Sequence, residues 1–284
     1  GYASHAEGDY TRASGDFSHT EGNSTTASGD YSHAEGDSTY ATGQSSHAEG
    51  FGTYAIGDSS HTEGINSYSY GLCSHTEGGN VIAYGSYTHA EGYYSYAEGT
   101  YSHTEGSYTY ATGFTSHAEG GGTTASGNYS HAEGYNSYAI GQYSHTEGYN
   151  TYATGNYSHA EGYGTKASES PSIWATHAEG WQTKAIGDYG SHAEGNHTTA
   201  SENISHAEGD WTVASEYYSH AEGTGSTASG DCSHAEGGGT KASSGNQHVQ
   251  GKYNIEDATD TYAHIVGNGS SSARSNAHTL DWNG

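Results

Sequence analysis

The chain of 284 residues has no methionine, one proline, three phenylalanines and two cysteines. Large aliphatic side chains are nearly absent before its last fifth. A core of Leu, Ile and Val cannot be assembled from this inventory. Positive charge is equally scarce: six Lys plus Arg stand against 33 Asp plus Glu, a formal net charge of −27. Phosphates need a basic surface, so nucleic acid is a poor partner, and so is an anionic membrane surface. No apolar run approaches the roughly 20 residues that span a bilayer, and no membrane insertion is expected. No signal peptide is recognisable and the chain starts in mid-repeat, so a piece of something longer is expected.

What is present is abundant and ordered. There are 45 Gly, 28 Tyr and 21 His. Low hydrophobicity with high net charge ordinarily marks disorder, but a strict internal period marks a solenoid, propeller or array instead. Histidine recurs every 14 residues from His5 to His159, then at His177, His192, His206, His220 and His234 after two slips. It sits in a Ser/Thr-His-Ala/Thr-Glu-Gly block that occurs 17 times. Between blocks lies a second half-repeat, such as Thr39-Tyr40-Ala41-Thr42-Gly43. Each half is small-x-small-x-Gly followed by two turn residues. Cys73 and Cys232 occupy the same place in the repeat, too far apart in any linear array to bond, and read as tolerated turn residues.

Alternation with period two over five residues is the pattern of a short strand with two different faces. A helix is excluded: no apolar stripe recurs at 3.6, and a Gly every seven residues would cost about 1 kcal/mol apiece. One coil is therefore strand, turn, strand, turn. Successive coils are expected to stack in parallel about 4.8 Å apart, some 18 of them making a rod of roughly 85–100 Å. The small residues at positions 1, 3 and 5 of each half are expected to point into a narrow roll, with positions 2 and 4 outward. Such an interior buries little apolar surface, so association is expected. The fold class is all-β, a parallel β-roll or β-solenoid of 14-residue coils in a homotrimeric fibre. Residues 1–251 form the repeat shaft, with an insertion near 169–175, and 252–284 a transitional C-terminal segment leading to a trimerising or tip region.

The two strands of a coil differ. The His-x-Glu strand hardly varies, whereas the other carries Arg12, Thr26, Tyr40, Tyr54, Tyr68, Ile82, Tyr96, Thr124, Lys166 and Val213 at its second position. Uniformity suggests a repeated contact. His5, Glu7, His19, Glu21, His33, Glu35, His47, Glu49, His61, Glu63, His131, Glu133, His145, Glu147, His159 and Glu161 are accordingly assigned to a ladder along the axis of a homotrimer. His-to-Glu hydrogen bonds, with the imidazoles raised in pKa by Glu, would set its register. A transition metal held by axial imidazoles such as His33 and His47 is the alternative, and a solvent-exposed ladder the third. No other cofactor is expected.

This pattern resembles the YadA-like head repeat of trimeric autotransporter adhesins, whose 14-residue coils carry an inner strand Ser-Val-Ala-Ile-Gly. Ser32-His33-Ala34-Glu35-Gly36 stands at the equivalent stretch, with His33 for Val and Glu35 for Ile. The resemblance covers about residues 1–251 and implies a left-handed parallel β-roll packed in threes about an axis. The tail from His248-Val249-Gln250-Gly251 to His278-Thr279-Leu280-Asp281-Trp282 resembles a segment of phage and prophage tail-fibre proteins. In it Val266 and Leu280 stand where the shaft has Glu, so the polar axis is expected to turn apolar.

Outward Tyr40, Tyr54, Tyr68, Tyr96, Tyr110, Tyr138 and Tyr152 could bind glycans, or could simply stiffen the sheet as cross-strand ladders. The irregular stretch Ser168–Ala175 holds the only proline, and Trp174 and Trp181 are its aromatic candidates for binding on a rigid scaffold. No continuous Thr-x-Thr face suits ice. Ser, His and Glu are all explained by the repeat, with no pocket, phosphate loop or lone nucleophile, so no enzyme is expected. The expected role is a structural and adhesive trimeric fibre of a phage tail or tail-like particle, in the virion. A bacterial cell-surface adhesin head and an extracellular filament subunit are the alternatives, and a cell-surface glycan or receptor is the outside partner.

Overall fold

A computed structural model describes residues 1–168 and 174–284, in two compact units, Gly1–Ala139 and Ile140–Gly284. Both are all-β parallel solenoids with no helix among the described residues. In the first unit, five-residue strands such as His33–Asp37 alternate with two-residue strands such as Tyr40–Ala41. Each five-residue strand pairs in parallel with the one a coil later, His on His, Glu on Glu and Gly on Gly. The short strands stack likewise, Thr26 on Tyr40 and Tyr40 on Tyr54. The second unit repeats the scheme from His145–Tyr149 to His248–Lys252. The slip between His159 and His177 leaves the ladder intact, because the two still pair.

The interior is one alanine wide. Ala34, Ala41, Ala48 and Ala55 are fully buried in the first unit, as are Ala153, Ala160 and their successors in the second. The Ser that opens each His half is buried for a specific reason. In many coils its hydroxyl donates to the carbonyl three residues back, as in Ser32 to Gly29 (2.6 Å) and Ser46 to Gly43 (2.7 Å), and so closes the preceding turn. Thr88 replaces it with the same bond to Gly85 at 2.7 Å. The turn residue Asp or Asn stitches coils together: the amide of Asp16 donates to Asp30 and that of Phe114 to Asn128, both at 2.9 Å.

Two details depart from the expected alternation. The Gly that ends the His block does not point inward: Gly36 is exposed and lies at φ 112°, where L side chains rarely go. A Cβ on it would overlap the carbonyl oxygen of Gly50 in the next coil. The Gly of the other half, such as Gly43, is the one buried, and a Cβ there meets the Gly57 carbonyl. The second half is also a shorter strand than five residues. Past Tyr40–Ala41, the amides of Thr42 and Gly43 both donate to Ala55 (2.8 and 3.3 Å), which bends the chain out of the ladder. The last residue of each half then adopts the left-handed conformation even when it is bulky, as in Phe17 (φ 56°) and Tyr31 (φ 60°). Cys73 and Cys232 hold this same position (φ 52° and 56°), exposed and unbonded.

The C-terminal stretch ends the stack. Strand Tyr262–Asn268 continues the parallel ladder, with His264 beside His248 and Val266 beside Gln250. Strand Asn276–Asp281 then runs antiparallel to it. This corrects the reading of His278 and Leu280 as a further repeat: chain reversal puts Leu280 beside His264 and His278 beside Val266. Leu280 therefore does not extend the Glu column. The loop before Tyr262–Asn268 is held by Asp257, whose carboxylate accepts from the amides of Thr259, Thr261 and Tyr262 and from the Thr259 hydroxyl. Burial works to raise the Asp257 pKa, but these donors outweigh it and leave it lowered. Of the inserted segment, residues 169–173, with the only proline, lie outside the described residues; Trp174 bridges Asn156 and Tyr189.

Thr25, Thr39, Thr123 and Thr151 open the second half with hydroxyls that are buried and bond to nothing. Val81 fills the same position, fully buried. Thr39→Val and Thr123→Val should therefore each stabilise the fold by about 1 kcal/mol, because a buried unpaired hydroxyl is removed at constant shape. Gly36→Ala should destabilise it by about 3 kcal/mol or more, since both backbone angle and stacking forbid a Cβ. Urea titrations of the three variants check both.

Candidate functional site

Three kinds of side-chain column occur along the chain, all created by the 14-residue register, and the first and third run in both units. The first is the His/Glu face. Because alternate residues of a strand share a face, His33 and Glu35 lie side by side and stack on their counterparts in the next coil. Imidazole rings sit 4.8 Å apart and nearly parallel from His19 through His33, His47 and His61 to His75. The second unit repeats this from His159 to His248, at 4.6–4.9 Å. His131 stacks on His117 and His145 on His159.

Ring nitrogens approach carboxylates without bonding to them. His33 Nε2 is 3.6 Å from Glu35, His47 3.9 Å from Glu49, His61 3.9 Å from Glu49 and His159 3.7 Å from Glu161. The terminal His5–Glu7 pair keeps 67% and 74% of its side-chain surface, whereas His33 and Glu35 keep 35% and 42%. The Nε2 atoms of His103, His117, His206 and His220 are shielded from solvent and make no hydrogen bond in the chain. The expected His-to-Glu hydrogen bonds are thus absent from these pairs. Side chains leaving one strand face in parallel bring their tips close without pointing them at one another.

The electrostatics also run against expectation. Burial first, then the like charge of stacked His61 and His33, hold His47 below the usual imidazole range, and Glu49 and Glu35 only partly offset this. His117 is pushed down to about 4 by burial and by His103 and His131. His75, His103, His159, His192 and His220 shift the same way, with burial the largest cause. The raised imidazole pKa expected from Glu is therefore corrected for these residues: burial is the largest cause, the like charge of stacked rings adds to it, and the flanking carboxylates offset the two only in part.

The ladder brings together His33, Glu35 and His47, and likewise His192, Glu194 and His206, with candidate ligand atoms within 4.8 Å of one another. The stacked rings fit a shared ion poorly. Metal–imidazole bonds are about 2.0–2.1 Å, and parallel rings 4.8 Å apart send their in-plane lone pairs alongside each other.

The second column is the tyrosine row of the short strands. Tyr40, Tyr54 and Tyr68 stack at 4.7 and 4.8 Å, Ile82 interrupts, and Tyr96 and Tyr110 resume at 5.2 Å. Tyr138 pairs with Thr124, and Tyr152 with Lys166. Sequence reasoning missed the third kind, the turn columns. Tyr94 stacks on Tyr108 (5.3 Å), Tyr163 on Trp181 (4.1 Å) and His197 on Trp211 (4.1 Å). Their signal was present: each pair recurs one coil apart at a fixed place. Trp181 belongs to such a column, while Trp174 lies against Tyr157 at 5.4 Å.

Among known families, the model described as the YadA head domain repeat matches the chain in two copies, at residues 48–67 and 132–158. A search of curated proteins finds no match. The match and the solenoid together support a YadA-like β-roll. YadA-like heads are surface-exposed modules with a structural, adhesin-like role and are typically not enzymes. No helix among the described residues is long and apolar enough to cross a membrane.

A histidine with a lowered folded pKa takes up its proton more readily when unfolded. Its contribution to stability is full above about 6.5 and is lost as pH falls from there through about 4. The melting temperature of the chain should therefore hold above neutrality and fall on acidification over this window. A melting temperature that rises as pH drops would falsify the stacked, neutral histidine column.

Proposed function

We propose that this chain is one subunit of a homotrimeric fibre, in which the His/Glu faces of three copies meet and the tyrosine and turn columns stay outside. The observation that carries this reading is the His/Glu face itself. It is the same on nearly every coil, half-exposed, and the ring Nε2 atoms of His103, His117, His206 and His220 find no hydrogen bond within their own chain. An interior one alanine wide buries little apolar surface, so a lone chain gains little from its own core. Closed cyclic symmetry is the usual way for copies to cover identical faces, and the likeness to YadA-like heads, which form trimers, supports three.

The role is mechanical: a stiff, in-register spacer that presents binding surfaces outside the cell or particle. The tail's resemblance to phage fibre segments favours a fibre of a phage tail or tail-like particle. The repeat's resemblance to adhesin heads supports the second reading, a cell-surface adhesin that binds along its flank.

Light scattering of the chain tests the assembly. The expected mass is three times 29.6 kDa, unchanged by a strong chelator. A trimer that dissociates on chelation would move the axial contact to a shared metal. A stable monomer would end the trimeric reading.

A further inference from the structure

We infer that the second unit carries a binding groove for an acidic oligosaccharide, centred on Trp211, His197 and Lys184. This deepens the adhesive part of the function proposed above. A cavity of about 410 Å³ opens there, within the range of small-ligand sites. Asn150, Tyr163, Gln182, Lys184, His197 and Trp211 line it. Its shape follows from the turn column. Gly164 (φ 65°) takes the turn position between Asn150 and Gln182 and leaves a gap where other coils have a side chain.

The walls have the chemistry that sugars need. Trp211 is 59% exposed and is held flat by His197, whose ring stacks on it at 4.1 Å and 5°. His197 Nδ1 is bonded to Asn196 Oδ1 at 2.8 Å, which fixes the ring. Tyr163 is stacked between Tyr149 at 5.0 Å and Trp181 at 4.1 Å and so only borders the groove with its edge. Trp211, stacked by His197, is the aromatic platform that can pack against the CH face of a pyranose ring. The side-chain amides of Asn150 and Gln182 supply donors and acceptors for hydroxyls.

The charge specifies the acidic sugar. Lys166 and Lys184 are direct neighbours on stacked strands. Like charges in that arrangement are destabilising, and this chain has only six cationic side chains to place. Neither lysine forms an ion pair among the described residues, whereas Lys241 pairs with Glu256 at 3.2 Å. The carboxylate of Asp210, next to Trp211, already accepts from Asn196 Nδ2 at 2.6 Å. The Lys166 ammonium lies over the Tyr152 ring, 5.9 Å from its centroid, so Lys184 is the cation that lines the groove. An ammonium with no ion pair among the described residues, beside Trp211, suits a sugar that brings its own carboxylate.

Tryptophan fluorescence titration of the whole chain tests this, with sialyllactose and lactose as probes, which differ by one carboxylated sugar. Sialyllactose should bind about tenfold more tightly than lactose, as one charge-assisted contact provides. Lys184→Gln should abolish that preference, and Trp211→Ala should weaken both sugars about tenfold. Trp282→Phe, outside the groove, should change neither, and unchanged melting temperatures show that all three variants fold. No response to either sugar, or a preference that survives Lys184→Gln, would overturn the inference. Equal displacement by tripolyphosphate would reduce the site to a simple anion site and overturn it too. None of these outcomes touches the mass measurement, so failure here and failure of the trimer are separable.

Discussion

The structure depends on the approach of one coil's backbone to the next. Parallel ladders at 14-residue register leave room for no Cβ at Gly36 or Gly43, and they bring Asp30 against the amide of Asp16. Because the backbones are this close, side-chain hydroxyls do work that a wider core would leave to apolar contacts. Ser32 and Ser46 tie the turns from inside. The narrow interior follows from the same constraint: Ala, Ser and Thr fill most of it, with Val81 in the first unit and Gln247, Val249 and Ile265 near the C-terminus among its larger buried side chains.

Register converts sequence periodicity into columns. A residue type repeated at one place necessarily stacks on itself, whatever its chemistry. For histidine the result is a parallel pile of rings, in which burial and then the stacked neighbours oppose protonation at His47 and His117. For tyrosine it is a stiffening aromatic row. For lysine it is an unfavourable like-charge pair, and the place where that happens lies beside the aromatic groove. Side chains that stack against their electrostatic interest are informative because the repeat could have placed something neutral there.

The division of labour between faces follows. The invariant face has the uniformity that a repeated subunit contact requires. The variable strand and the turns change from coil to coil, so local combinations such as Tyr163, Gln182 and Trp211 arise at one place without disturbing the ladder. In the proposed trimer this would separate assembly from recognition: one face constrained by its copies, the others free to diversify.

The parallel solenoid, its coil length, the inward alanines and the stacking of His33 on His47 were legible in the sequence, because a strict period of 14 allows only one register. So was the outward tyrosine row. The sequence did not disclose that Gly36 faces outward at positive φ while Gly43 is buried, because both halves read small-x-small-x-Gly. Nor did it show that Leu280 sits beside His264, since a chain reversal between two similar blocks leaves no trace in the period. The depressed histidines and the groove at Trp211 needed distances. Whether a carboxylate or a neighbouring ring dominates an imidazole, and which turn residues from different coils share one cavity, depends on separations that only the folded chain defines.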